Sequence, residues 1–430
     1  MKKILIITYY WPPQGGVGVQ RWLKFSKYLS KYNYEPVIYT QSKGVSPLVD
    51  NSLSKSIPSQ VKVLRKSVFE PQKIFSFFTK KKITSDFLIK KKYSLFNRFL
   101  VWLRANFFIP DSRYFWIKPS IKFLSNYLRK NHIDLIISTG PPHSTHLIAL
   151  ILKKKHNIKW IADFRDPWTH IEYFDSLPLL NINRKKHKEL EKDVVSLADV
   201  VLTVSPSWSK IFSQIGAKRT SVILNGFDLD DYNTFNSQIT SSKSENFTIG
   251  YFGLYNESRD HLFFWETIKQ IVNLEKDFHR GGNSKNLKLL FAGEVHHSFF
   301  TQVKSYGLED NVSFLNYLPH KESIKKMFEC DLLLVTQGDT VAVSGRVPAK
   351  VFEYLPVRKP ILAIGKKDSD LEKILSSISC AWFVDFNNSE LLYNTILDIY
   401  ESNYICTDSI NVFSREEQTK KLIQLISSIC

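Results

Sequence analysis

Short apolar runs alternate with amphipathic segments from the start of this 430-residue chain, and this alternation restricts the possible folds more than any other feature. The first eight residues form an apolar run, and a glycine-rich loop follows. Between about Gln20 and Lys31, large apolar side chains then recur at helical spacing, and a second apolar run spans Glu35 to Thr40. Strand, helix and strand in this order are typical of a parallel, doubly wound α/β sheet.

The same alternation continues in two series that a polar stretch, residues 228–246, separates. The first series predicts strands at 134–139, 160–164 and 200–204 and helices at 146–155 and 184–198. The second predicts strands at 248–253, 287–292, 312–314, 332–336, 360–364 and 381–384 and helices at 261–274, 322–328 and 349–354. We expect two Rossmann-like domains, 1–227 and 247–409, with 228–246 as linker and a C-terminal helix within 410–430 completing the first. Ligands would bind in a cleft between the domains, at the carboxyl ends of the strands.

Cysteine usage and hydropathy favour a reducing, cytoplasmic location. The four cysteines form no CxxC pair, and Cys330 and Cys380 stand in apolar runs that predict buried strand residues. The apolar run after Lys3 is too short for a secretory leader, and no run is long enough to span a bilayer. We therefore expect no cleaved leader and no membrane-spanning helix.

Positive charge is concentrated in the first half of the chain. Residues 1–250 contain 39 Lys or Arg and 18 Asp or Glu, whereas residues 251–430 contain 20 and 23. Residues 65–120 are both basic and aromatic, with Phe96, Phe99, Leu103 and Phe107 on one helical face. This composition predicts a peripheral contact with the anionic inner face of a membrane. The alternative is that these aromatic residues are core; nucleic acid is not expected, because no nucleic-acid-binding module is recognisable.

The loop after the first strand contains Gly15, Gly16 and Gly18, which allow a ligand to approach the backbone closely at a helix N-terminus. The spacing does not fit a dinucleotide-binding fingerprint, because Arg21 stands where the third glycine belongs. An ordinary strand-to-helix turn remains the alternative.

Two further clusters lie at predicted strand ends in the first domain. In WIADFRDPW, Asp163, Asp166 and Trp168 are candidates for binding or deprotonating a sugar hydroxyl, and the alternative is a structural Asp–Arg pair. In TGPPHSTH, His143 is a candidate for positioning a hydroxyl or a phosphate, and the alternative is a core histidine. His143 and His146 have no third ligand nearby, so no metal is expected.

The segment SGRVPAKVFEY combines a loop and the start of a helix in the second domain. Arg346 and the helix amides could hold a pyrophosphate, and Glu353 could accept hydrogen bonds from a ribose diol. The alternative is an ordinary amphipathic helix with a surface glutamate.

Along nearly its whole length the chain resembles glycosyltransferase family four, the retaining GT-B enzymes, and within it the enzymes of bacterial surface-polysaccharide assembly. The resemblance rests on segments in the expected order: YYWPPQGGVGVQRWLKFSKYL, PDSRYFWIKP, IISTGPPHSTHLIAL, WIADFRDPW, LTVSP, ILNGFD, YFGLYN, FAGEV and VPAKVFEYLPVRKPILAIG. It implies transfer of a sugar, with retention and without a metal or other cofactor, from a nucleoside-diphosphate sugar to a lipid-linked saccharide.

The resemblance also assigns residues. Gly15 and Gly16 would contact the donor, Glu353 the ribose, and Asp163 with Asp166 the acceptor. The family's first motif glutamate falls on Gly345, and Leu254 stands where its first donor-binding cation belongs.

These departures leave Arg259 as the nearby cation and suggest Arg346 or Lys350 as substitutes, beside Pro348 at the helix start. We therefore predict Asp163, Arg346 and His143 as catalytic residues. A nucleotide-sugar epimerase and a catalytically silent GT-B scaffold remain alternatives.

Overall fold

The computed structural model describes residues 1–42, 44, 49–67, 69–70, 95–233, 235, 245–278, 285–340, 342–402, 404 and 406–430. The chain forms two compact units. Unit 1 comprises Met1–Asn225 and Arg415–Cys430, and unit 2 comprises Gly226–Ser414.

Unit 1 is built on a parallel sheet that, within the described residues, has seven strands in the order β3-β2-β1-β4-β5-β6-β7. The strands are β1 Lys2–Ile7, β2 Tyr34–Gln41, β3 Lys62–Lys66, β4 Leu135–Gly140, β5 Lys159–Phe164, β6 Val200–Thr203 and β7 Thr220–Val222. The described helices are α1 Val17–Lys31, α2 Leu95–Phe107, α3 Tyr114–Lys130, α4 Ser144–His156, α5 Glu172–Ser176, α6 Asn181–Leu197 and α7 Pro206–Ile215. The C-terminal helix, Arg415–Ser427, also packs in this unit.

Unit 2 repeats the design with a parallel sheet of six described strands, in the order β10-β9-β8-β11-β12-β13. The strands are β8 Asn246–Phe252, β9 Asn286–Ala292, β10 Val312–Leu315, β11 Leu332–Thr336, β12 Ile361–Gly365 and β13 Ala381–Asp385. The helices are α8 Leu262–Phe278, α9 His297–Ser305, α10 His320–Phe328, α11 Lys350–Tyr354, α12 Asp370–Leu375 and α13 Ser389–Glu401, and the C-terminal helix of unit 1 is α14.

The central strands are mainly apolar because helices cover both faces of each sheet. Ile4, Leu5, Ile6 and Ile7 of β1 are fully buried. Their side chains point alternately into two separate hydrophobic clusters, one on each face of the sheet. Strand order reverses between β1 and β4 in unit 1 and between β8 and β11 in unit 2. A crevice at such a reversal is where open α/β sheets bind ligands.

The predicted strands and helices are present, with ends that move by a few residues. Helix α1 begins at Val17 rather than about Gln20, and α11 begins at Lys350 rather than Ala349. Of the predicted linker, a short 3₁₀ helix spans Leu229–Asp231, and residues 234 and 236–244 lie outside the described residues. No helix among the described residues is long and apolar enough to cross a bilayer.

Candidate functional site

Two groups of predicted residues lie at the carboxyl edges of the two sheets, one in each unit. In unit 1, Asp163 ends β5 and is fully buried. Its carboxylate accepts hydrogen bonds from Arg21 (3.0 and 3.3 Å), from the indole of Trp22 (2.7 Å) and from the hydroxyl of Thr139 (2.8 Å). Arg21, also fully buried, donates in addition to the carbonyl of Leu224 (3.1 Å). Asp163 therefore forms a buried ion pair with Arg21, an arginine outside the WIADFRDPW segment, and its catalytic role stays a prediction.

The glycine-rich loop ends against an arginine that the sequence analysis did not assign. Gly16 has a φ of 96° and caps the N-terminus of α1, and a Cβ atom on Gly18 would lie 2.0 Å from the guanidinium of Arg165. Arg165 donates to the carbonyls of Gly140 (3.2 Å) and Pro141. A side chain at position 18 would therefore displace the Arg165 guanidinium, which lies between the first-strand loop and the loop after β4. Gly15 and Gly16 are half-buried in the former, and no contact of theirs tests their predicted role.

His143 and Trp168 form a stacked pair in unit 1, with ring centroids 4.6 Å apart and planes inclined by 1°. Both ring nitrogens of His143 are buried and make no hydrogen bond with any described residue. Burial lowers the pKa of His143 well below its ordinary value, so the ring is neutral at physiological pH. Asp166 lies half-buried, two residues before Trp168. His146 bonds through Nδ1 to the hydroxyl of Ser138 (2.8 Å).

In unit 2, the strand reversal brings Lys350 next to the end of β8. The Lys350 ammonium lies 3.4 Å from the ring centroid of Tyr251, and a Cβ atom on Gly253 would lie 3.6 Å from it. The side chain is buried, and Nζ makes no hydrogen bond with the described residues. Burial lowers the pKa of Lys350 to about 8. Burying a cation without a hydrogen-bond acceptor costs free energy, and such groups are frequent at anion-binding sites.

A second cation lies near this lysine. Arg259 closes a 3₁₀ turn and donates to the carbonyl of Leu254 (2.6 Å). Burial raises the pKa of Tyr251, but the cations Lys350 and Arg259 outweigh burial and lower it to about 8. The structure therefore brings together two of the predicted donor-binding residues, Lys350 and Arg259, around one phenol.

Gln337, which follows β11, holds the loop that carries Gly345 and Arg346. Its amide nitrogen donates to the carbonyls of Arg346 (2.6 Å) and Val343 (3.3 Å), and its oxygen accepts from the amide of Lys366 (3.1 Å). Gly345 is buried in a 3₁₀ turn, and Arg346 is half-buried. The sequence analysis missed Gln337, although a polar residue directly after a buried strand was the available indication.

Glu353 lies on the short helix α11, which starts just after Pro348 and Ala349. The residue is half-buried, and its carboxylate raises the pKa of the nearby Lys350, which offsets part of the effect of burial. Its backbone carbonyl accepts a hydrogen bond from the hydroxyl of Tyr232 (2.9 Å), which fixes the helix in place. The predicted contact of Glu353 with a ribose stays a prediction.

Comparison with known proteins agrees with this architecture. Residues 85–231 match the family described as Glycosyltransferase Family 4. The chain resembles that family. Over 120 residues it is 31% identical to the protein named Probable glycosyltransferase WbjE of Pseudomonas aeruginosa, a match that covers 27% of this chain and 30% of WbjE. The chain therefore matches under a third of that curated relative's length.

Solved structures match the whole chain at low sequence identity. HepE of Anabaena, solved in complex with UDP, is similar with a TM-score of 0.60 at 14% identity, over 100% of both chains. UDP-GlcNAc 2-epimerase of Methanocaldococcus jannaschii is similar with a TM-score of 0.51 at 12% identity, again over 100% of both chains. These likenesses, with the two parallel sheets, confirm the predicted GT-B fold class and carry no further claim about this chain.

Among the described residues, no group of three or more His, Cys, Asp or Glu side chains is arranged to hold a metal ion. Metal independence stays a prediction, to be tested by chelation.

Proposed function

We propose that this chain is a glycosyltransferase that moves a sugar from a nucleoside-diphosphate sugar to a lipid-linked saccharide, with retention, in surface-polysaccharide synthesis. The observation that carries the proposal is Lys350: a buried ammonium without a hydrogen-bond acceptor among the described residues, at the strand reversal of unit 2, three residues before the half-buried Glu353. A ligand with a diphosphate and a diol would pair with both groups, the diphosphate with Lys350 and the diol with Glu353. The resemblance to family 4 and the UDP bound by HepE support the same donor class.

In the proposed reaction, the bond between the anomeric carbon and the diphosphate oxygen breaks, and a bond forms to the acceptor hydroxyl, which loses its proton. Negative charge develops on the leaving diphosphate. Lys350, Arg259 and Arg346 would stabilise this charge, and Glu353 would hold the ribose. Gly345, which supplies no carboxylate, and Pro348 would let the donor approach the loop backbone closely.

The acceptor would bind unit 1, at the membrane surface. Helix α2 exposes Phe96, Phe99 and Phe107, whose exposed fractions are 63%, 53% and 66%. Three exposed phenyl rings on one helix suit insertion into the headgroup region of a bilayer. Lys80–Lys82 and Lys90–Lys92, the basic residues predicted to assist, lie outside the described residues. On this proposal the protein is peripheral, on the cytoplasmic face of the membrane.

Two other functions are kept as outcomes of the test. The likeness to a solved 2-epimerase favours an epimerase as the second candidate. An epimerase would return an altered nucleotide sugar without transferring it, whereas a transferase releases the nucleoside diphosphate. Gly345 motivates a silent scaffold, which would neither bind nor turn over a donor.

The decisive experiment titrates a panel of UDP-, GDP- and dTDP-sugars into the full chain by calorimetry. One donor should bind, and Glu353→Ala should weaken that donor by about 10–150-fold, because a charge-assisted hydrogen bond contributes about 1.5–3 kcal/mol. Glu322→Ala, on the exposed face of α10, is the matched control and should leave binding unchanged.

Turnover is then followed as diphosphate release with a membrane extract as acceptor, with and without EDTA. We expect release that survives chelation. Loss of release that Mg²⁺ or Mn²⁺ restores would overturn metal independence, and absence of any bound donor would establish the scaffold.

A further inference from the structure

A cavity of about 280 Å³ lies in unit 1 at the carboxyl edge of its sheet. It is bounded by Tyr10 after β1, Pro142 and His143 after β4, Trp168 after β5, and one side of helix α2. It therefore lies where loops from three neighbouring parallel strands meet, next to the strand reversal of this unit. Nothing in the donor site of unit 2 uses it.

Most of the cavity wall is apolar. Helix α2 contributes Val101 and Ala105, and the opposite wall is formed by Phe108, Phe174 and Leu177. An entirely polar ligand, such as a free sugar or inorganic phosphate, would leave this wall without a partner. The wall instead fits a hydrocarbon chain, whose burial contributes about 0.8 kcal/mol for each CH₂ group.

Two neutral imidazoles line the cavity. Both nitrogens of His143, which is 5% exposed, are buried and have no hydrogen-bond partner among the described residues. His187 accepts a hydrogen bond at Nδ1 from the indole of Trp168 (3.0 Å), and burial lowers its pKa to about 4. Its proton is therefore on Nε2, which is a donor. Buried nitrogens without partners are costly unless a ligand supplies the missing hydrogen bonds.

Two guanidinium groups line the same cavity. Arg104 comes from α2 and Arg113 from the start of α3. The lining carboxylate, Asp111, accepts hydrogen bonds from the amide (2.9 Å) and hydroxyl (2.7 Å) of Ser144 and so caps α4. Glu70 lies 3.8 Å from the Nε atom of Arg113 and offsets part of that charge. The two guanidinium groups nevertheless give the lining several hydrogen-bond donors, which suit a phosphate.

We propose that this cavity binds the phosphate end of a lipid-linked acceptor together with the first part of its hydrocarbon chain. Arg104, Arg113 and the Nε2–H of His187 would hold the phosphate, His143 would bond to an adjacent oxygen, and the chain would lie along Val101 and Ala105. The outer side of the same helix carries the exposed Phe99 and Phe107, so helix α2 lies between the cavity and the surface proposed to meet the membrane. The inference rests on the proposed function, because it gives the acceptor its chemical class.

The test titrates farnesyl phosphate, farnesol and inorganic phosphate into the full chain and follows tryptophan fluorescence and heat. Farnesyl phosphate should bind, and farnesol and phosphate should each bind at least about tenfold more weakly, because each has only half of the required chemistry. Equal binding of inorganic phosphate would overturn the lipid assignment. If farnesol bound as tightly as farnesyl phosphate, the phosphate contacts would be wrong.

Variants locate the binding. Arg104→Gln should weaken farnesyl phosphate about tenfold by removing a charge-assisted hydrogen bond, whereas Arg98→Gln, an exposed arginine on the same helix, should have little effect. His143→Phe keeps the stack on Trp168 and removes both nitrogens, and Ala105→Trp fills the cavity; both should weaken binding. Equal losses in Arg104→Gln and Arg98→Gln would show a diffuse surface charge effect and overturn the cavity.

Donor binding, measured on the same samples, separates the two proposals. A protein that binds its nucleotide sugar but no farnesyl phosphate retains the proposed function and loses this inference. A protein that binds farnesyl phosphate but no nucleotide sugar overturns the proposed function.

Discussion

Lys350 and Tyr251 form a pair at the proposed donor site, and the net charge of the pair depends on pH. The pKa of each lies at about 8, so the pair is singly positive below that pH and neutral above it, whichever group releases the proton. An anionic donor is attracted only to the positive form. We therefore predict that donor affinity falls as pH rises from 7 to 9, measured by calorimetry.

Variants at the same position give the control for this pH dependence. Lys350→Arg keeps its charge at every pH in this window, so its affinity should stay nearly constant. Lys350→Met should bind donor about tenfold more weakly at pH 7, because it removes a positive charge that attracts the diphosphate. An unchanged pH profile in Lys350→Arg would assign the titration to another group.

Arg346 and Gly345 form the loop where the chain departs from its family pattern. Arg346→Ala should reduce turnover by about tenfold or more, because it removes a charge from the leaving diphosphate. Gly345→Glu should not improve turnover, because Gly345 is buried and a carboxylate there would be desolvated. Steady-state rates with saturating donor test both, and a fully active Arg346→Ala would mean that other groups hold the diphosphate.

Single residues also show where sequence reasoning stops. The secondary structure around the candidate residues was predictable: Asp163 lies near the end of a predicted strand, His143 lies between a predicted strand and helix, and Lys350 and Glu353 lie in a predicted helix. What Asp163 contacts was not predictable, because Arg21 and Trp22 meet it from a segment more than 140 residues away. The cavity of His143 depends likewise on Arg104 and His187, which no local pattern connects to it.

At the scale of elements, helix α2 lines a cavity with one side and faces solvent with the other. Phe99→Ser together with Phe107→Ser should abolish flotation with acidic liposomes at low salt, because each lost phenyl removes about 1.5–3 kcal/mol of apolar burial. Phe300→Ser, an equally exposed phenylalanine on α9 of unit 2, is the matched control. Wild-type protein that fails to float at low salt would contradict membrane docking altogether.

Strands were predicted well because a fully buried parallel strand is a continuous apolar run, as in β1 and β11. Some helices were missed although their apolar residues recur at helical spacing, as Trp208 and Phe212 do in α7. Helix α3 contains Pro119, a residue usually unfavourable in a helix, and α7 begins at Pro206 after the N-cap Ser205. Strand β3 contains three basic residues among five and lies at the sheet edge. Because β3 is partly exposed, it lacks the continuous apolar run from which the other strands were predicted.

At the scale of the whole molecule, the chain passes from unit 1 to unit 2 after Asn225 and returns at Arg415. Helix α14 therefore packs in a unit whose other described helices and strands end at least 193 residues before it, at Val222. Leu422 and Ile426 are fully buried in the cluster that covers one face of β1, and Gln418 accepts a hydrogen bond from the amide of Leu224 (2.9 Å). The last residues of the chain are thus part of the core of unit 1.

This connectivity predicts which half of the molecule a C-terminal substitution destabilises. Leu422→Ala should lower the free energy of unfolding of unit 1 by about 2–5 kcal/mol, the usual effect of a buried leucine-to-alanine change. Hydrogen exchange should therefore speed up in β1, β4 and β5 and stay unchanged in β8, β11 and β12, although α14 follows directly after unit 2 in the sequence. Gln424→Ala, on the exposed side of the same helix, controls for helix propensity and should leave both units unchanged. Faster exchange in the unit 2 strands would show that α14 stabilises the unit next to it in sequence rather than the core of unit 1.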